Sequence, residues 1–270
     1  MQHAREVNMK TIQTQPLHSV RWLVRFATVS VIGWVVALMA ASAVAADGVS
    51  TEAGPEGPAQ TAYAPINGKP GPVIVAISGH TGRSSYQSYA ADLAQLGYYT
   101  VLVDGKDILN PDHTGPANLS KVIDRAQHAP NAVQGKVAVI GFSQGGGGAL
   151  YSAANMPDTV SMVVAYYPYT RTWANNINAL VKRFQVPVLV MAGQRDRYND
   201  CCVIESMHAM EAAAKANSAP FELVVYPDAN HGFNLESGAL GEPMRAYRPN
   251  DARDAWRRTI EMLKHYHSVP

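Results

Sequence analysis

The sequence predicts an α/β fold: a mostly parallel, twisted sheet with helices packed on both of its faces. Three observations predict it. Short apolar runs alternate with helical stretches from Pro72 to the C-terminal region, the rhythm of strands joined by helical crossovers. One run, Val137 to Ile140, leads straight into Gly141-Phe142-Ser143-Gln144-Gly145, the Gly-x-Ser-x-Gly pattern of a tight strand-to-helix turn. Two later runs end in short loops that carry Asp196 and His231, and loops after strands are where such sheets place their chemistry.

Taken in order, residues 1–46 read unlike the rest. A basic leader with Arg5, Lys10, Arg21 and Arg25 precedes the apolar stretch Phe26 to Ala40, and small residues from Ala41 to Ala46 follow before Asp47. Basic region, apolar region and small-residue cleavage site together describe a secretory signal peptide cut near Ala45 or Ala46. The competing reading is an uncleaved anchor, because Phe26 to Ala46 approaches the roughly 20 residues that span a bilayer. Met9 is an alternative start. Residues 47–71 are rich in Gly, Pro, Ala and Thr and are expected as an irregular lead-in. The domain proper is expected over 72–270.

Within it the apolar runs predict strands at Val73 to Ser78, Thr100 to Val103, Val137 to Ile140, Ser161 to Tyr166, Val188 to Ala192 and Phe221 to Val225. Their continuous apolar character suits strands buried on both faces. Helices are expected at Tyr86 to Leu96, Leu119 to His128, from about Gly147 onward, at Ile204 to Asn217 and at Asp251 to His265.

The turn at Ser143 needs its glycines, because side chains at Gly141 and Gly145 would collide with neighbouring backbone. The helix behind it aims unsatisfied N–H groups at the serine. Ser143, Asp196 in Gly193-Gln194-Arg195-Asp196, and His231 in Asn230-His231-Gly232-Phe233 follow the chain order Ser, Asp, His of α/β-hydrolases. A serine hydroxyl is a weak nucleophile at neutral pH. His231 would take its proton, and Asp196 would fix the imidazole tautomer and stabilise the imidazolium. Asp200 and Asp228 remain alternatives for the acid, as turn chemistry explains aspartates in such loops equally well. His208 falls in a helix and His265 and His267 at the C-terminus, so none is expected in the site. The oxyanion donors are expected to be the backbone N–H groups of Gln144 and His80, with Thr81 as the fallback for His80. Tyr86, Trp173, Tyr167 and Phe233 are candidate pocket walls.

No His, Cys or Asp cluster has metal-ligand spacing, so neither a metal nor a cofactor is expected. Cys201 and Cys202 are adjacent. Neighbouring Cα atoms lie about 3.8 Å apart, below the usual disulfide range of roughly 4.4–6.8 Å. Buried thiols are therefore expected, with a strained disulfide ring that stiffens the loop after Asp196 as the alternative. The leader holds four of the 22 Lys and Arg and one of the 21 Asp and Glu, which leaves the remainder with a net charge of about −2. Without a basic stripe, nucleic acid is excluded as a partner.

The chain resembles the dienelactone hydrolase family over Pro72 to His267. The matching pieces are Gly141 to Gly146, Gly193 to Asp196, Asn230 to Phe233, and Tyr247-Arg248-Pro249-Asn250-Asp251-Ala252-Arg253-Asp254-Ala255-Trp256. The resemblance implies an α/β-hydrolase fold and hydrolysis of ester or lactone bonds with Ser143, Asp196 and His231 as triad. Two departures stand out. That family typically carries a cysteine nucleophile and a glutamate after the first core strand, where this chain has Ser143 and Ser78-Gly79-His80-Thr81. The Ser78 to Arg83 loop and Gly145 to Gly148 look similar to secreted polyester hydrolases and cutinases. The expectation is an exported serine esterase acting on small-molecule esters, with no membrane association after leader cleavage. A polyester- or lipid-directed esterase and a non-catalytic binding protein on the same fold are the alternatives. A peptidase of this kind usually carries an extra domain for which the length leaves no room.

Overall fold

The computed structural model describes residues 49–52, 57–236 and 247–270. The expected signal peptide, 1–46, lies outside them. Among the described residues no helix is long and apolar enough to cross a membrane. The chain order is β1 (Val49–Glu52), β2 (Gln60–Tyr63), β3 (Gly71–Ile77), α1 (Gln87–Gln95), β4 (Tyr99–Val103), α2 (Gly105–Ile108), α3 (Gly115–Gln127) and β5 (Ala132–Phe142). It continues with α4 (Gln144–Tyr151), β6 (Val160–Tyr166), α5 (Ile177–Val181), β7 (Val188–Gly193), α6 (Ile204–Asn217), β8 (Phe221–Tyr226) and α7 (Pro249–Tyr266).

The eight strands form one sheet in the order β1-β2-β4-β3-β5-β6-β7-β8. From β4 to β8 every neighbouring pair is parallel, while β1 and β2 run antiparallel at one edge. Those two strands correct the expectation of an irregular lead-in over 47–71. Gln60–Tyr63 is buried along its whole length and pairs residue for residue with Thr100–Val103. Edge pairing and tertiary burial, which a Gly- and Pro-rich composition does not report, override the local turn preference.

Side chains alternate across the sheet with a period of two. Val75, Ile77, Val101, Val139 and Val163 face α3, α4, α5 and α6 in one core. Ile74, Ala76, Leu102, Ile140 and Val164 face α1 and α7 in the other. Both faces are covered, so the predicted layering is the observed one. The helix after the Ser143 turn begins at Gln144, three residues before the expected Gly147. Ser143 alone absorbs the reversal, with φ 51° and ψ −115°, and the next residue is free to be helical.

A second correction concerns the cysteines. Cys201 and Cys202 are joined by a disulfide across a Cα separation of 3.8 Å, not held as thiols. The usual Cα range summarises bridges between separate segments; here the peptide bond fixes the spacing, and the turn buries both side chains.

Candidate active site

Parallel strands deliver their C-terminal ends to one edge, and the candidate residues collect there. Ser143 leaves β5, Asp196 follows β7, His231 follows β8 and Ser78 to His80 follow β3. The Ser143 turn is clamped by backbone. Its N–H donates to the Tyr166 carbonyl at 3.0 Å, its carbonyl accepts from Tyr169 N–H at 2.8 Å and Gly147 N–H at 3.0 Å, and Gly145 N–H donates to the Ser78 carbonyl at 3.1 Å. A Cβ at Gly141 would collide with the Gly145 carbonyl, and one at Gly145 with the carbonyls of Ile77 and Ser78. The glycines admit this approach, and the left-handed φ of Ser143 is held by its surroundings.

His231 lies between Ser143 and Asp196. Its Nε2 is 2.9 Å from Ser143 Oγ and its Nδ1 is 2.7 Å from Asp196 Oδ2. All three are buried, Asp196 completely. An ionised carboxylate only accepts, so Nδ1 carries the proton and Nε2 is left to accept from the serine hydroxyl. The second oxygen of Asp196 is occupied too: Tyr198 N–H donates to Oδ1 at 3.0 Å. Of the alternative acids, Asp228 pairs with Arg195 at 2.6 Å on the surface and Asp200 is exposed. Neither bonds His231; of the three aspartates, Asp196 is the one that does.

Two aromatic rings contact the imidazole, and a third backs one of them. Tyr198 stacks on His231 at 4.7 Å with an interplanar angle of 11°, Tyr167 meets it edge-on at 4.6 Å, and Phe233 packs against Tyr167 at 5.7 Å. Tyr167 Oη donates to Asn234 Oδ1 at 2.7 Å, tying this support to the His231 loop. Of the four aromatic residues expected as pocket walls, Trp173 lines the cavity. Tyr86, Tyr167 and Phe233 are instead buried in the core behind the site, where packing gains more from large rings than an open wall does. The Tyr86 hydroxyl is pushed up to about 12 by burial and stays protonated.

Ser143, Gln144 and His80 all border one cavity of about 670 Å³, which contains no acidic side chain among its described walls. The Gln144 side chain turns away, donating to the Leu109 carbonyl at 3.0 Å. Its backbone N–H is at the first position of α4, where no intrahelical acceptor exists. The His80 imidazole lies 3.1 Å from Tyr198 Oη through Nε2. Burial, and then the nearby His231, push the His80 pKa below its usual value, which keeps the ring neutral at pH 7. His208, His265 and His267 lie outside the site; His267 is buried beside Ser161, away from the solvated tail position expected for it.

Sequence spacing did not suggest that the cysteines approach the histidine. Both sulfurs and one His231 ring nitrogen lie within 4.8 Å of one another. Bonded to each other, the sulfurs offer no thiolate to a metal. Tyr198, whose ring and backbone contact both His231 and Asp196, was also missed. Its position two residues after the acid was the available signal.

A mostly parallel sheet with its serine on the turn after a central strand, bonded to a histidine on a later loop, defines an α/β-hydrolase. Residues 107–267 match the model of the dienelactone hydrolase family, and the chain belongs to that family. A protein of Escherichia coli (strain K12) assigned as a carboxymethylenebutenolidase is 29% identical over 164 residues, 58% of this chain and 55% of that one. The chain thus spans about half the length of that relative. A Bradyrhizobium protein assigned as a 2-oxo-3-(5-oxofuran-2-ylidene)propanoate lactonase is 28% identical over 255 residues, covering 84% of this chain and 96% of its own. Among solved structures, a dienelactone hydrolase from Anabaena variabilis aligns with a TM-score of 0.58 at 21% identity, covering 81% and 99% of the two chains. A dienelactone hydrolase-like promiscuous phosphotriesterase from metagenomic libraries aligns at 0.64 and 19%, covering 79% and 93%.

Proposed function

We propose that the protein is an exported serine hydrolase of carboxylic esters, lactones included, acting through an acyl-enzyme on Ser143. The observation that carries this reading is the unbroken chain from Ser143 Oγ through His231 to Asp196, at 2.9 and 2.7 Å, opening on a cavity of about 670 Å³. His231 Nε2 takes the Ser143 proton as Oγ attacks the ester carbonyl. The tetrahedral oxyanion accepts hydrogen bonds from the Gln144 and His80 N–H groups. Its collapse expels the alcohol, which leaves with the proton from His231. Water, deprotonated by the same imidazole, then releases the acid. The lactonase and carboxymethylenebutenolidase assignments of the relatives support ester and lactone substrates, and the serine in place of the family's usual cysteine supports general ester hydrolysis. Export is supported by the leader alone, with cleavage near Ala45 or Ala46.

The test is Ser143→Ala with a short p-nitrophenyl ester. Turnover should vanish while circular dichroism stays unchanged; undiminished turnover sinks the assignment. A fluorophosphonate should label Ser143 in the parent protein, and a folded protein that resists labelling is the non-catalytic binding protein instead. N-terminal sequencing of exported protein checks the cleavage site.

A further inference from the structure

The turn after Asp196 holds more chemistry than ester hydrolysis uses. Tyr198 bonds the acid through its N–H at 3.0 Å, stacks on the base at 4.7 Å and reaches the loop after β3 through its hydroxyl, 3.1 Å from His80 Nε2. One residue thus spans acid, base and the expected oxyanion loop. The backbone that presents it turns tightly: Asn199 and Asp200 both occupy the left-handed region, at φ 47° and 52°. Asparagine and aspartate are the residues other than glycine that enter that region most readily, and two in succession make a tight turn. The Cys201–Cys202 disulfide closes directly behind them. The Cys201 carbonyl accepts from Thr170 N–H at 2.8 Å and Arg171 N–H at 3.2 Å, so the same turn also anchors the segment bearing Trp173. Cys201 borders the cavity, Cys202 is fully buried, and both sulfurs sit within 4.8 Å of a His231 ring nitrogen.

We propose that the Cys201–Cys202 disulfide is a thiol-exchangeable modification site that controls turnover at Ser143, by holding residues 198–202 as a clasp between His231 and the His80 loop. This rests on the esterase reading above. The co-reactant is a small dithiol. Its first thiolate attacks the sulfur of Cys201, the residue of the pair that borders the cavity, the S–S bond breaks, and Cys202 leaves as a thiolate that takes up a proton beside His231. The second thiol of the reagent then displaces Cys201, so the protein gains two electrons and two protons and the reagent departs as its own disulfide. Opening the ring removes the constraint that closes the end of the 198–202 turn, and the Tyr198 contact to His80 goes with it. The oxyanion loop loses a support whose effect is felt in the transition state, so kcat falls while KM holds.

The experiment compares purified oxidised protein with protein treated with a dithiol, scoring two titratable thiols and an unchanged far-ultraviolet spectrum. Reduction should lower kcat for a short p-nitrophenyl ester about tenfold or more, and reoxidation should restore it. Tyr198→Phe keeps the stack on His231 but removes the hydroxyl. It should lower kcat in the oxidised state and blunt the response to reductant, because the two perturbations act through one contact. Unchanged kcat after verified reduction overturns the proposal, as does a change in KM alone. Should reduction unfold the protein, full kcat in Tyr198→Phe overturns it independently. An oxidised protein that hydrolyses no ester and resists fluorophosphonate instead refutes the esterase reading on which it rests.

Discussion

Replacing Asp196 by Asn removes one charge and exchanges one acceptor for a donor at a completely buried position. Two donors converge on the native carboxylate, His231 Nδ1–H at 2.7 Å and Tyr198 N–H at 3.0 Å, and an amide has a single oxygen for them. If that oxygen serves Tyr198, the NH₂ faces Nδ1, the imidazole takes the opposite tautomer, and Nε2–H can no longer accept the Ser143 proton. If the oxygen serves His231, the NH₂ opposes Tyr198 N–H and a buried donor is left unsatisfied, at about 1–3 kcal/mol. The productive arrangement is therefore a minority state. The imidazolium that forms in the transition state also loses its buried counter-charge. Together these amount to about 4–5 kcal/mol, a drop in kcat/KM on the order of a thousandfold or more. The assay is hydrolysis of a p-nitrophenyl ester at pH 7.5, with the rate of fluorophosphonate labelling as a second readout. A loss below tenfold in folded Asp196→Asn would refute the reasoning. Asp228→Asn and Asp200→Asn, at exposed positions without a bond to His231, should stay within about twofold of the parent.

Gly145→Ala should destabilise the protein by about 3 kcal/mol, because the new Cβ meets the immobile carbonyls of Ile77 and Ser78 and overpacking there has no flexible side chain to yield. A melting temperature within 2 °C or so of the parent would contradict that account. His267 is buried, and burial lowers its pKa to about 4, the Val73 backbone bond working in the opposite direction. The unfolded chain, with a histidine near 6.5, therefore binds the extra proton first as pH falls. This contribution to stability is complete above about pH 6.5 and is lost progressively down to about pH 4, on the order of 3 kcal/mol in all. Urea midpoints measured at pH 7 and 4.5 should diverge in the parent and converge in His267→Gln; equal slopes in both would count against it.

Much of the architecture is written locally. Val75, Ile77, Val139 and Ile140 lie in runs apolar enough to predict strands buried on both faces, and the Gly141 to Gly145 pattern predicts a turn that only a close backbone approach explains. Other elements leave no local trace. β2 reads as part of a Gly- and Pro-rich lead-in because its pairing with β4 leaves no periodic trace in four residues. The short helices α2 and α5 span only four and five residues, too few for a 3.6-residue pattern to show. The disulfide reads only as an alternative to buried thiols, because the usual Cα range describes bridges between separate segments.

By itself, then, the sequence determined the parallel sheet with helices on both faces, the strained serine turn, and a short set of polar residues on the loops that follow strands. These depend on side-chain alternation and turn sterics, which act over a few neighbouring residues. Only the tertiary structure decided that Asp196 and not Asp200 or Asp228 bonds His231, that Tyr198 bridges to His80, and that the paired sulfurs lie against the imidazole. The first two of those contacts join residues 35 and 118 positions apart, and the Ser143–His231 bond joins residues 88 apart. Such separations close only when the sheet brings its strand ends to one edge, and no local preference encodes which loop then meets which.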